Sequence, residues 1–353
     1  MALRILHIGG GPRGRHWLEI VRDYPQATSV GLVDPSPSVL HWAKENYPQV
    51  PCFQSLRSAA EAIPADAAII ATPACFHAAN ALESIDRGYT PLVEKPFTST
   101  LKEALTVLAQ ADICRKKVIV AQNYRFVPAE RTLRKLIQEG RLGRVTVATC
   151  ISRRYRPGKG TSLETMAYPQ LIDVGVHHFD SFRSILGCNA VKMTAKVFNP
   201  PASDYEHGSC TQALIEMEGG IHIQYLGTLA SHRYGFSLWI EGEKGVLWTN
   251  RKWVLWRPRG KRWFWPVKRV KVPKGDEAPY PREGTTSLLN ALRDAVLFRR
   301  EAETSGQDNL WTVAMLEAGI RSDQGDREVA IEEVIRGADT SYPHVTHRFT
   351  GGA

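Results

Sequence analysis

The first third of the chain alternates short apolar runs with stretches whose apolar residues recur every three or four positions. Arg4–Gly9, Ser29–Val33, Asp66–Ala71, Leu92–Glu94 and Val118–Ala121 read as strands. Arg15–Asp23, Pro37–Asn46, His77–Arg87 and Leu101–Arg115 read as the helices between them. Strands that are apolar along their whole length, alternating with helices, predict a parallel sheet covered on both faces.

Near Asn123 the pattern changes. Val127–Glu139 reads as a helix, Arg144–Ile151 as a strand, and Asp173–Leu186 as a helix closed by Gly187. Strands then dominate, at Val191–Phe198, Ser209–Met217, Ile221–Leu229, Gly235–Glu241 and onward to about Val272. Glu218-Gly219-Gly220 marks a hairpin turn. Ser287–Arg299 and Asn309–Ser322 read as closing helices. The pattern predicts two domains: an α/β domain over residues 1–123, and an α+β domain with a large, mostly antiparallel sheet over 124–353.

Composition narrows the class. No run approaches the roughly 18 unbroken apolar residues of a membrane helix. Cys52, Cys75, Cys114, Cys150, Cys188 and Cys210 lie far apart with no C-x-x-C pair, so reduced cysteines and a cytoplasmic location are expected. The net charge of +9 is local: residues 251–274 hold ten Lys or Arg and no acid. That segment also carries Trp253, Trp256, Trp263 and Trp265. Trp253–Arg257 and Lys261–Trp265 flank a turn at Arg257–Gly260, which predicts a hairpin with a solvated basic face. An oligomer contact is the next reading, and nucleic acid, with cations on phosphates and rings on bases, the weakest.

Gly9-Gly10-Gly11-Pro12-Arg13-Gly14 fits G-x-G-x-x-G after a strand and before a helix, the context of a Rossmann dinucleotide site. Gly9 turns the chain, Gly11 admits a pyrophosphate, and Gly14 lets helix and strand pack, while Arg13 is placed to help hold a phosphate. Asp34 ends the second strand, where a carboxylate binds an adenosine ribose and repels a 2′-phosphate. NAD is therefore expected, with NADP disfavoured. The competing reading makes Asp34 a turn residue before Pro35.

Three segments add chemistry: Ala71-Thr72-Pro73 with His77, Glu94-Lys95-Pro96, and Asp173-Val174-Gly175-Val176-His177-His178-Phe179-Asp180. With Gln122-Asn123-Tyr124-Arg125-Phe126, and in this order from Gly9 to Gly187, they resemble the Gfo/Idh/MocA oxidoreductases. The resemblance implies Lys95, Asp173 and His177 as catalytic residues and Glu94, Thr72, Pro73, His77 and Asn123 at the cofactor. It also implies a sugar or cyclitol substrate and a homodimer or homotetramer built through the open sheet of the second domain. Lys95 would hydrogen-bond the reacting hydroxyl, and His177, helped by Asp173, would handle its proton. Read alone, Lys95 is a surface lysine, His77 a helix-start residue, and Asp173–His177 a buried pair. A metal site with His178 and Asp180 is the lesser alternative, and no metal is expected.

Substrate contacts are expected from Lys95, Asp173, His177, Arg125 and Tyr168. Arg153 and Tyr155 join them from a basic loop, Arg153-Arg154-Tyr155-Arg156, suited to an anionic or polyhydroxylated ligand. Relatives often carry a glycine-rich run before Asp-x-Gly-x-His; here it is Met166–Ile172, with Tyr168 in it. An NAD-dependent dehydrogenase acting on a CH–OH group is the leading expectation. A redox-neutral, NAD-dependent glycoside-cleaving enzyme is the second, and a non-catalytic dinucleotide-sensing protein the third.

Overall fold

The computed structural model describes residues 2–161, 163–201, 203–260, 267–273, 282 and 284–338. The chain divides into two compact units. Strands β1 (Leu3–Ile8), β2 (Ala27–Val33), β3 (Cys52–Phe53), β4 (Ala67–Ile70), β5 (Thr90–Val93) and β6 (Ile119–Val120) alternate with helices α1 (Pro12–Arg22), α2 (Pro37–Asn46), α3 (Leu56–Ala62), α4 (His77–Asp86) and α5 (Leu101–Ile113). The described strands form one parallel sheet in the order β3-β2-β1-β4-β5-β6. That is the Rossmann order, and its direction reverses between β1 and β4. Ligands of such sheets bind at the carboxyl ends of the strands beside that reversal. The sequence reading missed β3 and α3, which are short and only partly apolar.

The second unit starts with α6 (Pro128–Gln138), β7 (Val145–Tyr155) and α7 (Val176–Leu186). It continues with β8 (Ala190–Phe198), β9 (Cys210–Met217), β10 (Ile221–Thr228), β11 (Ala230–Gly242), β12 (Gly245–Thr249), β13 (Val254–Pro258) and β14 (Lys268–Val270). Along the chain come helix α8 (Thr285–Phe298), which belongs to the first unit, and helix α9 (Gly306–Gly325), whose residues divide between the two; strand β15 (Val329–Ala330) and helix α10 (Ile331–Gly337) close the second unit. The second sheet runs β14-β13-β12-β11-β7-β10-β9-β8-β15 among the described residues. Every pair is antiparallel except β7 with β10, which is parallel. Gly219, at φ 75°, turns β9 into β10, as the Glu-Gly-Gly signal predicts. Gly187 closes α7 in the left-handed conformation.

Two expectations differ. The first unit contains residues 277–313 as well as 1–123, so the second is not one continuous stretch from 124 to 353. Helix α8 packs on β5 and β6, and the edge of β6 is closed by the 304–306 backbone. The basic hairpin also pairs differently. Strand β13 meets β14 at 268–270, whereas Lys261–Trp265, expected as its partner, lies outside the described residues.

Candidate functional site

In the first unit the chain leaves β1 through the glycine turn. Gly9 has φ +95°, and a side chain there would lie 2.8 Å from the Ala71 carbonyl. A Cβ on Gly14 would overlap the Gly9 oxygen. At Gly11 nothing lies within 4 Å of the Cβ position. Gly11 also caps α1 without a side-chain hydrogen bond, and Pro12 opens the helix. Two glycines are thus required by the protein's own packing, and the third leaves space beside the helix N-terminus, as a pyrophosphate needs.

Asp34 serves this turn directly. Its Oδ2 accepts the Gly10 amide at 2.8 Å and its Oδ1 the Ser36 amide at 2.9 Å. The turn-residue and ligand readings are compatible, because each carboxylate oxygen keeps a lone pair for a ribose hydroxyl. Arg13 and Glu94 engage each other: they form an ion pair, and Trp17 Nε1 donates to Glu94 at 2.8 Å. Burial pushes the Glu94 carboxyl up, but Arg13 and Lys95 outweigh it and hold it below its ordinary value. Arg15 went unnoticed in the sequence; its guanidinium lies 3.9 Å over the Trp42 ring and donates to the Gly10 oxygen.

His77 connects two turns. Its Nε2 is 2.9 Å from the Thr72 oxygen, and its Nδ1 2.7 Å from the Pro96 oxygen. Carbonyls only accept, so a neutral ring satisfies one of them and an imidazolium both. Burial lowers the His77 pKa, and the two carbonyls pull against it. Pro73 begins the short turn before α4, and Thr72 Oγ1 accepts from Asn80 at 3.2 Å. Lys95 follows β5 half-buried, its peptide to Pro96 is cis, and Asn123 is buried after β6.

In the second unit Asp173 lies in a wide π-helical turn, Gln170–Gly175, that runs into α7. Tyr168, just ahead of it, has φ +55°, a conformation glycine adopts without strain. Asp173 pairs with Arg156, and Val174 packs with Leu163, Tyr205 and Leu229. His177 is 9% exposed, and the Tyr124 ring stacks on it at 4.2 Å and 19°. His178 is fully buried and meets the Tyr225 hydroxyl at 2.9 Å. Burial, with Arg251 and Arg154 nearby, drives its pKa well down, so the ring is neutral.

Arg125 is engaged within the second unit. It forms a bidentate pair with Asp180, both contacts 2.6 Å, with side chains 4% and 1% exposed. The pair is therefore buried rather than a surface bridge. Among the described residues no group of His, Cys, Asp and Glu is arranged to hold a metal. Arg153 and Tyr155 also fall elsewhere. They belong to strand β7 rather than a loop, and side chains alternate along a strand. Arg154 donates to the Tyr124 hydroxyl at 2.7 Å, on the face that α7 covers. Arg153 and Tyr155 consequently point to the other face, away from Asp173 and His177. Period-two counting from buried Cys150 and Ser152 selects Arg154 in advance.

No helix among the described residues is long and apolar enough to cross a membrane. Residues 3–122 match the family described as "Oxidoreductase family, NAD-binding Rossmann fold", and residues 131–248 match "GFO/IDH/MocA C-terminal domain". The chain is 24% identical to inositol 2-dehydrogenase of Rhizobium meliloti, over 94% of its own length and 100% of that protein. It is also 24% identical to inositol 2-dehydrogenase of Corynebacterium glutamicum, over 62% of this chain and 65% of that one. Its fold superposes on an oxidoreductase from Agrobacterium radiobacter, solved with NAD+, L-tartaric acid and magnesium, at TM-score 0.83. That structure is 19% identical, over 94% of this chain and 99% of the other. With both domains matched in order, the chain belongs to the Gfo/Idh/MocA family of NAD-binding oxidoreductases.

Proposed function

We propose that this protein is a dehydrogenase that oxidises a secondary alcohol of a sugar or cyclitol, with NAD as the preferred dinucleotide. The observation that supports it most is the open Gly11 position beside a carboxylate, Asp34, that is tied to the same turn. The names of the relatives, inositol 2-dehydrogenase and D-glucoside 3-dehydrogenase, support the substrate class.

Gly9–Gly14, Asp34, Thr72 and Pro73 would hold the dinucleotide, which when bound supplies the acceptor for the carbinol hydride. The chain's own work is proton handling and orientation. Lys95 donates to the reacting oxygen and holds it in place. His177 accepts the hydroxyl proton as the carbonyl forms, and Asp173 fixes and polarises it. Arg156, paired with Asp173, would supply a basic side chain beside that carboxylate. Self-association through the open sheet face, implied by the resemblance, is supported by exposed Leu214, Trp239 and Tyr155.

The test is turnover with NAD and a panel of sugars, cyclitols and glycosides, following nicotinamide absorbance and product mass together. Equal amounts of oxidised product and reduced nicotinamide, both lost in Lys95→Ala, support the dehydrogenase. Glycoside cleavage without net reduction replaces it with the redox-neutral reading.

A further inference from the structure

Arg251 begins the basic segment, yet its side chain is only 16% exposed, unlike Lys252, Arg257, Arg259, Lys268, Arg269 and Lys271. Its guanidinium carbon lies over two rings, 3.8 Å from the Phe236 centroid and 4.1 Å from the Tyr124 centroid. The Tyr124 ring also stacks on His177, at 4.2 Å and 19°. Phe236, Arg251, Tyr124 and His177 thus form one continuous stack inside the second unit.

The turn around Arg251 is built to place it. Arg251 has φ +69°, a conformation costly for a residue with a side chain. Thr249 Oγ1 accepts the Arg251 amide at 2.9 Å and donates to the Trp253 oxygen at 2.7 Å. Asn250 Oδ1 accepts the amides of Lys252 and Trp253. At its head, Arg251 meets Glu130 at 3.0 Å, and Ser181 donates to the same carboxylate at 2.6 Å. A buried ion pair explains the charge but not the strained backbone or the contact with two rings, because a lysine would satisfy Glu130 as a point charge.

We propose that Arg251 is a positioning residue for His177, acting through Tyr124. Clamped between Phe236 and Tyr124, it fixes the plane of the Tyr124 ring, and that ring fixes the plane of the imidazole. Arg154, holding the Tyr124 hydroxyl, sets the ring's rotation in that plane. The role rests on the reading in which His177 handles the substrate proton.

The experiment uses the full chain labelled at histidine, with His177→Asn to assign the ring signals, and kinetics on the best substrate found. Tyr124 shields the His177 ring protons, so their resonances lie upfield. Tyr124→Leu abolishes that shift and Tyr124→Phe retains it. The deciding variant is Arg251→Lys, which keeps the charge beside Glu130 and loses the flat guanidinium. It is expected to reduce the upfield shift and lower kcat by about tenfold, as for other small misplacements of a reacting group, with KM for NAD unchanged. Arg251→Lys with wild-type resonances and kcat overturns the proposal and leaves Arg251 as half of an ion pair. Glu130→Gln/Arg251→Met, which removes both charges, must also lose the shift; retention overturns the proposal. If no substrate turns over, the assignment of function falls, while the ring resonances still decide the stack.

Discussion

The Asp34 carboxylate accepts the amide hydrogen of Gly10 at 2.8 Å, so the end of β2 holds the glycine turn that follows β1. Its second oxygen accepts the Ser36 amide. Asp34→Ala leaves both amides without that partner and is expected to destabilise the protein by about 1–3 kcal/mol. NAD affinity should fall by about tenfold or more, since the ribose contact proposed for Asp34 would be lost as well. Urea unfolding and NAD titration check the two effects separately; a variant with wild-type NAD affinity removes Asp34 from the cofactor site.

The glycines of the turn predict opposite phenotypes. Gly14→Ala forces a methyl group into the Gly9 oxygen and should cost about 1–3 kcal/mol or more in the ligand-free protein. Gly11→Ala meets nothing, and its φ of −64° suits alanine, so stability should stay within about 1 kcal/mol. Its NAD affinity should nonetheless drop by about a hundredfold, from the methyl group placed where the pyrophosphate approaches. Thermal melts with and without NAD distinguish the pair.

Arg125 and Asp180 pair across a nearly solvent-free contact. Arg183 lies 3.7 Å from the same carboxylate, also buried. Arg125→Met leaves Asp180 with that longer contact and should cost about 3 kcal/mol. Arg125→Met/Asp180→Leu removes this pair but also takes the carboxylate from Arg183, so it should regain only part of the loss. Chemical denaturation of the single and double variants measures the coupling. A double variant as stable as the wild type would mean that Arg183 does not depend on Asp180.

His7 is buried in β1, bonded to Ser29 at 2.8 Å, and burial lowers its pKa from 6.5 to about 3. The unfolded chain takes up a proton below pH 6.5 that the folded chain refuses until about pH 3. Stability from this group is therefore complete above 6.5 and lost as pH falls toward 3. His7→Gln should flatten the decline between pH 7.5 and 5 by up to about 2 kcal/mol. Identical pH slopes in urea titrations of wild type and His7→Gln would sink this account.

Much of the first unit is legible because its strands are apolar from end to end and its helices begin at marked residues. Pro37–Asn46 is read to the residue, with Pro37 supplying the start. The glycine turn is legible because Gly9 and Gly14 answer to sterics alone. In the second unit, the basic run reads as a loop from its composition, whereas it continues β7, where alternation turns Arg154 inward and Arg153 and Tyr155 outward. Arg125 pairs with Asp180, 55 residues away, and only the fold creates that pairing. Arg251 hid inside a basic run whose other described members are solvated, and nothing local distinguishes it. Long-range pairing, rather than local propensity, decides each of these cases.

The edge of β6 is completed by residues 304–306, with Val120 donating to Thr304 and Gly306 to Val118. A nascent chain emerges from the ribosome in order, so the first 123 residues are exposed long before their closing segment exists. The unit that begins the chain must wait through the synthesis of the large antiparallel sheet before its own edge can be sealed. Until then the edge of β6 lacks the backbone partners that residues 304–306 supply.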